Sequence, residues 1–183
     1  MHHASLLTLM LAVLSTASAY AIPANQPDGI YEVRRSPSGE EIHTALNLPS
    51  ERRTSANPLA KRAFAFGHTH CGCGIKLNTG DTDAAVADLE NQLGKAGYLI
   101  DASMSYYSIR GGVVAFVCND EGNAALKASS DIVGQALAQI TKSCGRYVAG
   151  STGWVNDFSI GYMNNAKDLD FCGASLGAPA DHC

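Results

Sequence analysis

The order of signals along the cysteine-bearing part of the chain predicts an α+β fold. The expected form is a two-layer α/β sandwich with the split β-α-β, ferredoxin-like order β-α-β-β-α-β, an extra C-terminal strand and a disulfide-tethered tail. Three observations predict it. Residues 105–119 read as two strands joined at Gly111-Gly112, because runs rich in Tyr, Ile, Val and Phe flank a pair able to take the positive φ of a tight turn. A strand-then-helix pattern precedes this hairpin and a helix-then-strand pattern follows it. All six cysteines, Cys71, Cys73, Cys118, Cys144, Cys172 and Cys183, fall in the same part of the chain.

From the N-terminus, residues 1–21 carry a short polar start, the apolar run Leu6 to Leu14 and the small residues Ala17-Ser-Ala19, the pattern of a secretory signal peptide. The run is well short of the ~20 apolar residues that span a bilayer, so no transmembrane anchor is expected. Residues 22–62 hold five of the six prolines, no cysteine and three dibasic points, Arg34-Arg35, Arg52-Arg53 and Lys61-Arg62. Such a polar, Pro-rich stretch reads as a disordered pro-peptide. Leu59-Ala-Lys-Arg62 before Ala63 matches the sites of kexin-like proteases, whose acidic subsites take two cations from an exposed, extended loop, so Lys61 and Arg62 are the expected processing residues. A basic linker left intact is the alternative.

The expected mature domain, residues 63–183, is 121 residues long, enough for one modest core. Its even cysteine set behind a signal peptide reads as three disulfides, with 15 possible connectivities. It carries seven Lys and Arg against twelve Asp and Glu. That acidic balance disfavours nucleic acid and anionic membranes as partners. There is no Asn-x-Ser/Thr sequon.

Within the domain, residues 71–77 suit a first strand. A helix capped by Asp81 or Thr82 then runs to about Gly94, with Val86, Leu89 and Leu93 on one face. Residues 104–109 and 113–118 are strands two and three. A second helix, capped by Ser129 or Ser130, aligns Ile132, Val133, Ala136, Leu137, Ile140 and Cys144 and ends at Gly145. Residues 146–149 and 157–163 are the last strands. Right-handed crossovers put both helices on one sheet face. In this order the start of strand one lies beside the end of strand three, which predicts a bridge from Cys118 to Cys71 or Cys73 and another from Cys144 to Cys172 or Cys183.

Chemistry-bearing residues are sparse. His68-Thr-His-Cys-Gly-Cys73 has zinc-ligand composition, but in an oxidising compartment its cysteines are expected to be paired rather than thiolate. Asp81-Thr-Asp83 and Asp168-Leu-Asp170 lack the Gly and terminal Glu of a calcium loop. No metal, cofactor or catalytic residue is therefore expected. The alternative is a small hydrolase, for instance ribonuclease-like, using His68, His70 or His182 with Glu90 or Glu121. Tyr106, Tyr107, Arg110, Tyr147, Trp154 and Tyr162 have the chemistry of protein-binding surfaces, and of these Arg110 at its turn and Trp154 beside Gly153 are the candidates for exposure.

The stretch from Tyr107 to Asn164 resembles the secreted killer-toxin-like proteins of fungi, among them the calcium-channel-blocking toxin of smut fungi. The resemblance rests on the strand Val113-Val-Ala-Phe-Val117, the helix ending in Cys144-Gly145, and Tyr147-Val-Ala-Gly150 leading to Asn156-Asp-Phe-Ser-Ile-Gly-Tyr-Met-Asn164, about a third of the chain. It implies an α/β sandwich with disulfides, no enzymatic activity, and action on other cells through growth inhibition, virulence or antagonism. Fewer cysteines, the acidic balance and the tail after Asn164 depart from the smut toxin, and an acidic chain does not suit block of a cation pore. The expected function is a secreted effector or toxin-like binder of an unknown protein or cell-surface target. A small secreted hydrolase or a cell-wall structural protein is the alternative.

Overall fold

Residues 113–119 decide the architecture, since Val113, Ala115 and Val117 alternate with Val114, Phe116 and Cys118 and all six are buried. A strand apolar on both faces needs cover on both faces. A computed structural model of the chain, which describes residues 20–47, 66–119, 125–154, 158–178 and 180–183, shows how each cover is made. The elements are β1 (Gly29–Arg35), β2 (Glu41–Leu46), β3 (Thr69–Lys76), α1 (Thr79–Leu93), β4 (Tyr98–Ile100), β5 (Met104–Arg110), β6 (Val113–Asn119), β7 (Leu126–Ala128), α2 (Ser130–Cys144), β8 (Val148–Trp154), β9 (Phe158–Asn164) and α3 (Phe171–Leu176).

Seven strands form one sheet in the order β2-β1-β5-β6-β9-β8-β3, with every pairing antiparallel, while β4 and β7 pair separately. The hairpin of β5 and β6 closes as expected, Arg110 opposite Val113, with Gly111 at φ 49°. Both long helices lie on one face. Their apolar residues Leu89, Leu93, Ile132, Val133, Ala136 and Ile140 join Tyr106, Val113, Ala115, Val117, Ile160 and Tyr162 in a first core. Ser129 caps α2 as expected, its hydroxyl accepting from the Ile132 amide, but α1 starts earlier than expected. Asn78 is its cap, and the Asn78 side chain accepts from the Asp81 amide.

The ferredoxin-like strand order is not the one observed. Strand 71–77 was expected beside β6 at the sheet centre, yet β9 takes that place and β3 lies at the edge. The reason is burial on two faces. Residues 158–162 of β9 are all buried, whereas residues 73–76 of β3 are all exposed. Gly161 also lets β9 approach closely, because a Cβ there would stand 2.8 Å from both Phe116 and Ser151.

The second face carries the other departure. Residues 22–62 were expected to be disordered, yet β1 and β2 form a hairpin that extends the sheet through β5. Tyr31 and Val33 point with Tyr107, Ile109, Val114, Phe116 and Cys118 into a second core, closed by Tyr20 and Ile22 and by Phe171 and Cys172 of α3. The chain around Ile22 pairs with the tail: the Ile22 amide donates to the Leu169 carbonyl at 3.0 Å, and the Asp168 amide to the Ile22 carbonyl at 3.2 Å. A strand of alternating apolar and polar residues gains burial only when a sheet edge accepts it, and that edge lies 70 to 80 positions downstream.

Three disulfides close all six cysteines: Cys71–Cys144, Cys73–Cys183 and Cys118–Cys172, with Cα separations of 5.3, 5.7 and 5.9 Å. Neither expected pairing is found. Cys118 shares the face of Val114 and Phe116, where α3 brings Cys172. Cys71 faces the helices and meets the last turn of α2 at Cys144. Replacing Cys118 and Cys172 together by Ala unties α3 from the second core. Urea unfolding should show a loss of about 2 to 5 kcal/mol, and non-reducing peptide maps of the parent should contain Cys118 joined to Cys172.

Candidate functional site

Two polar constellations stand out, one at an end of the sheet and one on the second face. The first gathers around the hairpin turn and the start of α1. Asp28 accepts from the Gly111 amide through both carboxylate oxygens at 3.1 Å, and Asp81 accepts from the Gly112 amide at 2.9 Å. Arg110 donates through Nε to Asp88, which also accepts from the Ser108 hydroxyl at 3.4 Å. Asp88 raises the Arg110 pKa by this hydrogen bond and its charge. About a third of the Arg110 side chain stays exposed (36%). Nearby on α1, Asp83 accepts from the Tyr147 hydroxyl at 3.1 Å, and the guanidinium of exposed Arg146 lies over the Tyr147 ring, 4.8 Å from its centroid. Arg110 and Tyr147 are thus held by carboxylates of one helix, and Arg146 is held in turn by the ring and hydroxyl of Tyr147.

Arg110 and Trp154 do not come together. The registers through β5, β6, β9 and β8 place them at opposite ends of the strands. The Trp154 side chain lies outside the described residues, as do the processing residues Lys61 and Arg62 and residues 1–19 of the expected signal peptide 1–21. Arg34-Arg35, another dibasic point, sits inside β1 between two paired strands, where no extended loop is presented.

The second constellation involves a residue that sequence reasoning assigned to the pro-peptide. His43 on β2 is hydrogen-bonded through Nδ1 to the Tyr107 hydroxyl at 2.7 Å, and its Nε2 stands 3.6 Å from Glu41. Burial pushes the Tyr107 phenol far above the ordinary range, so it stays protonated. Glu41 also accepts from the Ala21 amide at 3.0 Å and faces Arg35 at 3.7 Å. Tyr107 is an aromatic hub: Tyr31 stacks on it at 5.1 Å, His43 meets its edge at 5.8 Å and Phe171 tilts against it at 5.0 Å. The order carboxylate, imidazole, hydroxyl has the form of a catalytic relay. Burial decides against that use, since Tyr107 is fully enclosed and its phenol resists ionisation.

The chain matches no family model, no curated protein and no solved structure. Its chemistry must be read from its own geometry.

Of the other candidate histidines, His68 is exposed, while His70 and His182 make polar contacts within or against the tail. His70 Nδ1 is 3.1 Å from the Ala178 carbonyl, and exposed His182 pairs with neighbouring Asp181. Glu121 lies outside the described residues, and Glu90, its pKa raised by burial, is on α1. Among the described residues no three His, Cys, Asp or Glu side chains gather as a metal site. Tyr106 and Tyr162 are core residues, with the Tyr106 hydroxyl donating to Glu32 at 2.7 Å.

Burial lowers the pKa of His43, against the opposing pull of Glu41. The unfolded chain therefore takes up this proton first. The stabilisation is complete above about pH 6.5, the unfolded value, and is lost as pH falls toward the lower folded value. Asp170 works in the opposite sense, its carboxyl raised by burial, so the two must be separated. In urea titrations between pH 7.5 and 5, at roughly half-unit steps around the imidazole range, the stability difference between the parent and His43→Gln should shrink with acid. A difference independent of pH would mean that His43 does not titrate in this range.

Proposed function

We propose that this is a secreted, non-enzymatic effector of the killer-toxin-like kind, which binds a protein or surface component of another cell. The observation that carries the reading is the complete closure of six cysteines into three bridges within one small α+β domain, the chemistry of proteins that work in an oxidising space. The contact surface in this reading is the end of the sheet bearing Arg110, Arg146 and Tyr147. Arg and Tyr dominate protein interfaces, and the Asp88 and Asp83 carboxylates that already hold Arg110 and Tyr147 lower the ordering cost of binding.

Targeting and processing belong to the same reading. A signal peptidase cut after Ala17-Ser-Ala19 leaves Tyr20 as the first residue, and Tyr20 is fully buried in the second core. A kexin-like protease then cuts after Arg62. Intact mass of denatured culture-fluid protein should show chains beginning at Tyr20 and at Ala63, and Arg62→Ala should leave a single chain.

Binding is tested with labelled secreted protein on candidate target cells. Saturable binding is expected, weakened about tenfold or more by Arg146→Ala or Tyr147→Ala. Catalytic turnover of RNA, peptide or glycan without saturable binding would transfer the reading to a hydrolase. Tight retention in the producer's own wall fraction would transfer it to a wall protein.

A further inference from the structure

We propose that residues 20–47 are a permanent, non-covalently held subunit of the mature protein, so that a cut between β2 and β3 yields a two-chain molecule and not a released pro-peptide. The surface concerned is the outer edge of β5 with the aromatic face beside it, and its occupant is this chain's own N-terminal segment. The inference deepens the processing reading above, which supplies the cut.

The contact is built like a domain interior. Six residues of β1 pair with β5, from Gly29 opposite Ile109 to Arg34 opposite Met104, and the Arg35 amide continues the ladder to Ser103 at 3.3 Å. Tyr20, Ile22, Tyr31 and Val33 are each 4% exposed or less. Polar contacts pin the segment at several separate points: Asp28 on the Gly111 amide, Glu32 on the Tyr106 hydroxyl, His43 on the Tyr107 hydroxyl, and the 20–22 stretch on the tail. Removing it would leave the β5 ladder unpaired and uncover Tyr107, Ile109 and Phe171.

No covalent link outlasts the cut, because all three bridges lie within residues 71–183. Nor is chain continuity needed for placement. β2 and β3 occupy opposite edges of the seven-stranded sheet, so neither strand's pairing involves the other. Strand addition to a waiting edge is an established mode of association between separate chains.

The test starts from the full secreted chain carrying a recognition sequence for a specific protease between Leu59 and Lys61, so that the cut does not depend on native processing. After complete cleavage, shown by denaturing mass spectrometry, both fragments should co-elute in native buffer at the size of the uncut protein, and amides of β1 and β5 should keep their slow hydrogen exchange. Val33→Asp places an unpaired carboxylate in the second core and should speed loss of the small fragment about 100-fold or more. His43→Gln, a milder change, should speed it less. Separation of the fragments in native buffer without any substitution overturns the proposal, whether or not the larger fragment stays soluble. Culture-fluid protein with residues 47 and 66 still in one chain would instead count against the processing reading alone.

Discussion

The central constraint is that β6 and its neighbours are apolar on both faces, so the sheet cannot stand with helices on one side alone. The two helices satisfy one face with residues close in sequence to the strands they cover. The other face is covered by parts from the two ends of the described chain, residues 20–22 and α3, which are joined by the backbone pairing of Ile22 with residues 168–169. Edge position, disulfide pairing and the burial of Tyr107 follow from that demand. Cys118 points to the second face and so must find its partner among the elements that cover it.

The local elements were legible in the sequence wherever the signal was local. The Gly111-Gly112 turn, the stripe of α2 and its Ser129 cap are each set by residues a few positions apart, and the structure places them as expected. Strand order was not legible, because it depends on which strand can be buried on both sides. The comparison that decides it, Phe158 to Tyr162 against Cys73 to Lys76, weighs two segments nearly a whole domain apart. The segment containing β1 was misread for a related reason: its prolines and arginines outweighed the alternation of Tyr31 and Val33, which has meaning only against β5.

The polar groups show the same division. Arg110 was singled out for its place at a turn, and its ion pair with Asp88 follows from α1 packing over β5. His43 carried no sequence signal, since its partner Tyr107 is 64 positions away and Glu41 beside it looks like an ordinary surface charge. Burial turns these residues into a cap over the aromatic cluster. It also makes that cap sensitive to acid through the imidazole.

The two margins of the sheet are unequal. At β3 the Cys71 amide donates to the Ala180 carbonyl at 2.8 Å, and Cys73 is bonded to the terminal Cys183, so the tail is fastened along that margin. At β2 no further strand is paired among the described residues. The Cys73–Cys183 bridge thus holds the tail against the β3 margin near Cys71, where it stands in the way of an added strand.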